Sequence, residues 1–433
     1  MREIGIYICN YNKRDMVAEC VRHILKQTIR DKCDIYVVDN ASTDGSVLNL
    51  KQIYGNKITI LQNEENVGGA GGFGRGIRDA LNKDYKYFML VDNDAMLNED
   101  VVEILRGYME DNEDVGICGA KTVKLQNSNE IQDMGGCIDK DRYDWFGIMQ
   151  NELNVGVDMV MDVDYVASCS CMARVSAVRE FGGFPEDNFI YWDDVEWCTK
   201  CKRAGYRVVV NGNAETKHDF SSSGIENQFF RYYCNRNRFR YFVKFLDNSK
   251  LDDFWNKITE EVFVKICTFR AKGMEQSAKV SLYAFEDFVN DVTGRQNDRV
   301  LAFDKTETLL EKRIKGSKII TINMPSHDKC DYEKMERIVR YIKSINEVAR
   351  INVSICENII NENSSEHLSL VLCNHVKEIK DDILPSVYID GWINAVYDKD
   401  TYDVFSCFDE GLDSFRERYR KQFDRIIKKI RKD

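Results

Sequence analysis

Two acidic clusters about a hundred residues apart carry the residue types that could do chemistry. The first, Val91-Asp92-Asn93-Asp94, ends an apolar run; the second is Tyr191-Trp192-Asp193-Asp194-Val195-Glu196-Trp197, with His218 further on. An Asp-x-Asp past a strand end offers hard oxygen ligands suited to Mg2+ or Mn2+, ions usually held by one or two carboxylates plus substrate phosphates. In an extended segment, Asp92 and Asp94 point to the same side; a plain turn after a strand would use the same residue types. Asp193, Asp194 and Glu196 open a predicted helix and could supply a general base, although acids there also suit the positive end of a helix dipole. Tyr191, Trp192 and Trp197 offer aromatic faces for a sugar. His218 could complete a metal shell through an imidazole nitrogen or face solvent. Together the clusters fit transfer of a sugar from a nucleoside diphosphate to a hydroxyl. That reaction needs a cation on the departing diphosphate, a base on the acceptor and a held nucleotide.

A third motif, Gly69-Ala70-Gly71-Gly72-Phe73-Gly74, matches G-x-G-x-x-G and opens a helix. Its position argues against a dinucleotide fingerprint, because it follows the third strand rather than the first, and the later acids come as a pair. A glycine-rich helix start can still cradle a diphosphate through backbone N–H groups, with Arg75 or Arg78 nearby.

The elements that must position these residues alternate. Strands are expected at Ile4–Cys9, Ile35–Val38, Ile58–Leu61, Tyr87–Val91 and Val115–Gly119. Helices are expected at Asp15–Gln27, with Val17, Val21, Ile24 and Leu25 on one face, at Gly72–Asn82, and at Asp100–Glu110, with Val101, Val102, Leu105 and Met109 inward. Such alternation implies an α/β fold with a mostly parallel, helix-covered sheet that binds ligands at its carboxyl edge. Asp39, Asn66 and Asp92 fall just past strand ends. Asp194–Ala204 reads as a helix and Tyr206–Val210 as a strand. Residues 226–293 read as helical, with Phe229, Tyr232, Tyr233, Phe239, Phe242 and Phe245 packing. Beyond Gly294 a small α/β unit is expected, with strands at Lys318–Asn323, Ile351–Cys356, Leu368–Cys373 and Val404–Cys407 and an amphipathic helix at Asp331–Ile345. The expected division is 1–245, a helical segment 246–300, and a C-terminal unit 301–433 that ends in a basic amphipathic helix.

The chain has 433 residues, with 43% hydrophobic and 31% charged residues, which is more than one small core can use. A net charge of −11 argues against nucleic acid as the main partner. No apolar run reaches the roughly 18 residues of a membrane span, and the N-terminus lacks signal-peptide architecture. The expected setting is therefore the cytoplasm, with the 15 cysteines as reduced packing residues. Cys198-x-x-Cys201 lies on a predicted helix without a second pair at zinc-site spacing and reads as structural. Residues 411–433 hold nine Lys/Arg against four acids. There, Phe415, Tyr419, Phe423, Ile426, Ile427 and Ile430 form a stripe at helical spacing. That pattern suits a helix on the anionic inner face of a membrane, or one packed on its own domain or in an oligomer.

The combination resembles glycosyltransferase family 2, the inverting GT-A enzymes, over roughly residues 1–245. The resemblance rests on Tyr7-Ile8-Cys9-Asn10-Tyr11-Asn12, Val37-Val38-Asp39-Asn40-Ala41-Ser42-Thr43-Asp44-Gly45-Ser46, Asn66-Val67-Gly68-Gly69-Ala70-Gly71-Gly72-Phe73, Val91-Asp92-Asn93-Asp94, Trp192-Asp193-Asp194-Val195-Glu196-Trp197 and His218. The glycine-rich and Trp-Asp-Asp segments look more like bacterial galactofuranosyltransferases than rhamnosyltransferases. The resemblance implies a GT-A fold. Asn10, Asn12, Asp39, Asn66, Gly68, Gly69, Arg75, Asp92 and Trp192 would border the donor. Asp92, Asp94 and His218 would hold Mn2+ or Mg2+. Asp194 would be the base, with Asp193 and Glu196 orienting hydroxyls. The donor implied is UDP-galactofuranose, with dTDP-rhamnose as the alternative, and the acceptor a glycan or lipid-linked hydroxyl of a cell-envelope polysaccharide. From other classes, a nicotinamide-dependent oxidoreductase or a non-catalytic assembly protein would be the rivals.

Overall fold

The computed structural model describes residues 2–219, 227–304, 307–325, 329–355, 364, 366–379 and 387–431. Two compact units stand out: residues 1–245 with 291–297, and residues 246–290 with 298–433. The helices expected as a separate segment after residue 245 thus fall in the same unit as the C-terminal sheet.

In chain order the first unit runs β1 (Ile4–Asn10), α1 (Arg14–Ile24), β2 (Cys33–Asp39), α2 (Ser46–Tyr54), β3 (Thr59–Gln62), α3 (Gly68–Leu81), β4 (Tyr87–Asp92), β5 (Ala95–Leu97), α4 (Val101–Asp111), β6 (Val115–Lys124), β7 (Asn127–Asp133), β8 (Gly136–Asp139), β9 (Asp144–Gly147), β10 (Val160–Asp162), β11 (Ser170–Arg174), α5 (Val175–Phe181), α6 (Asp193–Arg203), β12 (Arg207–His218) and α7 (Gln228–Phe245). The main sheet has the order β10-β12-β6-β11-β4-β1-β2-β3, with β5 on β12 and β7 on β6. β4, β1, β2 and β3 run parallel, as do β6 and β12, and β11 inserts antiparallel between the two groups.

Burial explains this architecture. α1 buries Val17, Cys20, Val21 and Ile24, and α4 buries Val101, Val102, Leu105 and Met109. These are the helical spacings that place one stripe on the sheet. The central strands are buried on both faces, β4 along Tyr87–Val91 and β6 from Val115 to Val123, as parallel strands under helices must be. The helix expected from Gly72 starts four residues earlier, so the glycine run lies inside its first two turns.

The second unit holds α8 (Leu251–Ala271), α9 (Glu275–Val289), α10 (Leu309–Gly316), β13 (Ile319–Met324), α11 (Lys329–Ile345), β14 (Arg350–Ile355), β15 (His367–Leu372), β16 (Val387–Ile389), β17 (Ala395–Val396), α12 (Lys399–Ser406) and α13 (Phe408–Ile430). Its sheet order is β14-β13-β15-β16-β17. The strand expected at Val404–Cys407 is instead the end of helix α12. Asp398 and Thr401 form a capping box, and Thr401 and Phe405 are buried one turn apart, so the helical period and the cap outweigh the short apolar run. Cys356, expected to end a strand, lies outside the described residues, as do Lys432 and Asp433 of the tail.

The stripe on α13 is covered. Phe423 stacks on Trp255 at 4.5 Å, Phe415 meets Phe263 and Phe285, and the Tyr419 hydroxyl donates to Glu286 at 2.6 Å. The apolar face that suggested membrane contact through residues 411–433 is therefore spent on α8 and α9. No helix among the described residues is long and apolar enough to cross a membrane.

Candidate active site

The strand ends of β1, β2 and β4 are tied by one polar network. The Asn10 amide donates to Asp39 Oδ1 at 2.9 Å and to Ser42 at 3.2 Å, and its carbonyl accepts from Asn93 at 3.0 Å. Asn10 and Asp39 are fully buried. Asn12 is exposed with a positive φ of 48° and accepts from the Thr43 N–H at 2.7 Å. Asn10 and Asp39 thus brace the carboxyl edge, and Asn12 lies at its open rim.

Beside them, Asn66 accepts from the Gly68 N–H at 2.9 Å, and Arg75 donates to Asn63 at 2.6 Å. Asn63 donates to Asn40, and Asn40 to the Gly68 carbonyl. Gly68 and Gly72 of this helix serve close packing. A Cβ on Gly72 would lie 2.4 Å from Cys9 Sγ and 2.9 Å from the Asn40 amide, and one on Gly68, at φ 76°, would lie 1.9 Å from the Phe189 carbonyl. At Gly68 and Gly72 close packing accounts for the glycine, whereas a Cβ on Gly69 would meet open space.

Asp92 ends β4, and Asn93-Asp94 form a turn into β5, so the acids converge through a turn and not through an extended segment. His218 arrives at the end of β12 itself, opposite Ala95 of β5. Its Nε2 lies 3.2 Å from Asp94 Oδ1 and 3.7 Å from Asp92 Oδ2. The three ligand atoms lie within 4.8 Å of one another, and among the described residues this is the group of its kind that could hold a metal ion. Burial and the neighbouring Asp94 charge push the Asp92 carboxyl up to about 6. Burial would also raise Asp94, but the hydrogen bond and charge of His218, with Lys13, hold it below its ordinary value. Burial alone would lower His218, yet the two carboxylates raise it. The cluster favours positive charge, and the Lys13 ammonium rests 2.5 Å from Asp94 Oδ2. Two carboxylates and an imidazole therefore fit a divalent cation in charge and donor chemistry.

Asp193 and Asp194 stand at the start of α6. Asp194 accepts from the Val195 N–H at 2.8 Å and from the Ser168 N–H, while the neighbouring Cys169 carbonyl accepts from the Asp92 N–H at 3.1 Å. The second cluster is thereby moored to the segment that borders the first. Burial pushes Asp194 up to about 6, despite those hydrogen bonds. Burial, with the charges of Asp194 and Asp92, pushes Asp193 up to about 8. Asp133, absent from the expected set, joins them: burial, partly offset by a hydrogen bond from Gly135, pushes it up to about 7, and it feels both Asp194 and His218. It ends the exposed-reading strand β7, where no motif marks it.

Three residues expected at the site, Trp192, Trp197 and Glu196, face elsewhere. Trp192 is buried, packs on Tyr241 and Phe242 at 5.1 and 5.7 Å, and donates to Cys234, so its ring forms core, not a sugar wall. Trp197 likewise packs among Phe88, Phe181 and Phe184. Glu196 is buried against Lys244 at 2.6 Å and Lys200 at 3.1 Å, so its carboxylate is spent on tying α6 to α7 and not on orienting hydroxyls.

The backbone before Asp193 is strained. Phe189, Tyr191 and Trp192 have φ of 68°, 66° and 63°, a region costly for large side chains. Asn237 of α7 pins the turn by donating to the carbonyls of Asn188, Ile190 and Tyr191 at 3.0, 2.8 and 3.0 Å, and Arg236 adds a bond to Asn188 at 2.9 Å. The aromatic pattern of α7 hid this role.

Glycosyltransferase GlyG of Streptococcus pneumoniae is 33% identical over 104 residues, 24% of this chain and 33% of that protein. Galactofuranosyltransferase GlfT2 of Mycobacterium tuberculosis is 24% identical over 201 residues, 42% of this chain and 31% of that protein. The chain thus spans about a third of the length of these relatives. Among solved structures, GalNAc-T7 with UDP, GalNAc and Mn2+ aligns at a TM-score of 0.49 and 14% identity, over 59% of this chain and 50% of that one. Residues 5–176, which carry the glycine-rich helix and the Asp92–Asp94 cluster but not Asp193, Asp194 or His218, match Glycosyl transferase family 2.

Proposed function

We propose that this protein is a metal-dependent, inverting hexosyltransferase that moves a sugar from a nucleoside diphosphate donor to a hydroxyl of a glycan or lipid-linked acceptor. The observation that carries the reading is the convergence of Asp92, Asp94 and His218 within 4.8 Å, beside the partly buried Asp194, whose charge Asp92 feels. UDP-galactofuranose is the proposed donor, supported by the glycine-rich and Trp-Asp-Asp segments and by the similarity to GlfT2.

In this reading Asp92, Asp94 and His218 hold Mn2+ or Mg2+, which when bound neutralises charge on the departing diphosphate. Asn12, Asn66, Gly69 and Arg75 border the nucleotide, and Asn10 and Asp39 hold that edge in shape. Asp194, fixed by two backbone N–H groups, takes the acceptor proton while the hydroxyl displaces the nucleotide at C1. Asp193, raised to about 8, keeps its proton at neutral pH, which spares Asp194 a second negative charge at its side.

The test is a thermal-shift titration followed by a donor screen. UDP with Mn2+ is expected to raise the melting temperature and NAD to leave it unchanged, since only a ligand of the folded state stabilises it. UDP- and dTDP-sugars with Mn2+ are then scored by nucleotide release. Stabilisation by NAD instead, or release from no donor, defeats the proposal.

A further inference from the structure

Gln132 belongs to none of the motifs above, yet its amide nitrogen lies 2.8 Å from His218 Nδ1, on the side of the ring away from the carboxylates. It arrives there through an irregularity. On β7, Asp133 pairs with Thr122 of β6 and Ile131 pairs with Val123, so Gln132 is the extra residue of a β-bulge. β6 in turn pairs on its other edge with β12, Thr122 opposite Thr216 and Lys124 opposite His218. A bulge re-aims a side chain and is favoured beside active sites; here it sends the extra residue across β6 to the imidazole.

An imidazole binds a cation through a bare nitrogen. Ligation by His218 Nε2, the atom facing Asp92 and Asp94, therefore needs the proton on Nδ1 and an acceptor for it. A glutamine amide can donate through one end and accept through the other. With its NH2 toward Nδ1, Gln132 leaves its carbonyl oxygen buried without a partner and favours a hydrogen on Nε2. Turning the amide over brings the carbonyl onto Nδ1–H and leaves Nε2 bare.

We propose that Gln132 is the positioning residue of this metal centre. Its carbonyl accepts from Nδ1 and holds the imidazole in the one tautomer that can ligate. The inference rests on reading Asp92, Asp94 and His218 as a cation site.

The test is calorimetric titration of the full chain with Mn2+ alone. Q132L, which removes the acceptor at similar volume, is expected to weaken binding roughly 10–100-fold. Q132E, which keeps an acceptor, should stay within about threefold of the native chain. In the native chain saturated with Mg2+, nitrogen-15 spectra should show His218 protonated at Nδ1 and bare at Nε2. Native affinity in Q132L, equal losses in Q132L and Q132E, or a hydrogen retained on Nε2 would each overturn the inference. D94N separates the two levels: if it too binds Mn2+ as the native chain does, the cation site itself fails, and if it alone loses binding, only the role of Gln132 fails.

Discussion

At the scale of single residues, burial sets the chemistry. Asp194 is raised to about 6, which brings a carboxylate closer to the strength a base needs near neutral pH. We expect kcat/KM for nucleotide release to rise as pH climbs through about 6, because only the ionised form accepts a proton. D194N should bind donor almost normally and lose at least about 10²-fold in kcat; near-normal turnover would remove Asp194 from its role. Asp193 makes a second, independent prediction. It holds its proton up to about 8 when folded, against 3.8 ordinarily. Between those values the folded state binds more protons than the unfolded one, so its contribution to stability is full at low pH and is lost as pH rises through that window. Melting temperature followed between about pH 5 and pH 8 should fall less steeply in D193N than in the native chain; parallel curves would contradict the assignment.

At the scale of elements, the site depends on one strained turn. Residues 188–192 lie between the helix that carries the glycines and the helix that carries Asp193 and Asp194. The Phe189 carbonyl accepts from Ala70 at 3.1 Å, and Asn237 holds three carbonyls of the same turn. N237A leaves those groups without their donor and should cost about 1–3 kcal/mol in urea unfolding, with a loss of turnover larger than any loss of donor affinity, because the turn aims the base. A KM effect with kcat intact would place Asn237 outside this role. G68A meets the same turn from the other side. Its methyl group would overlap the Phe189 carbonyl at a positive φ, so about 1–3 kcal/mol of destabilisation is expected, and unchanged stability would show that the turn has room to move.

At the scale of the whole molecule, each unit has its own core. In the second unit, Phe423 is fully buried against Trp255, and F423A should cost about 3–5 kcal/mol of that unit's stability by denaturant unfolding. A cost near zero would mean that the stripe is free, which would reopen its use as a surface. The basic residues of α13 surround a face already occupied, so its charge pattern describes a solvated helix.

The alternation of strands and helices, the apolar stripes of α1 and α4, and the acids Asp92, Asp94, Asp193 and Asp194 with His218 were legible in the chain, because periodicity and residue type are local properties. Val404–Cys407 reads as a strand from a short apolar run that leaves the period ambiguous, whereas the capping box at Asp398 and Thr401 makes it the end of α12. Trp192 and Glu196 carried suitable chemistry, but only packing against α7 shows that one fills the core and the other pairs with two lysines. Gln132, Asp133 and Asn237 left no mark in the sequence, since their roles depend on a bulge, a buried charge environment and a strained turn. Those arise when residues far apart in the chain meet. Residue type thus determined which chemistry was available, while the tertiary fold decided which of those groups face one another and with what charge.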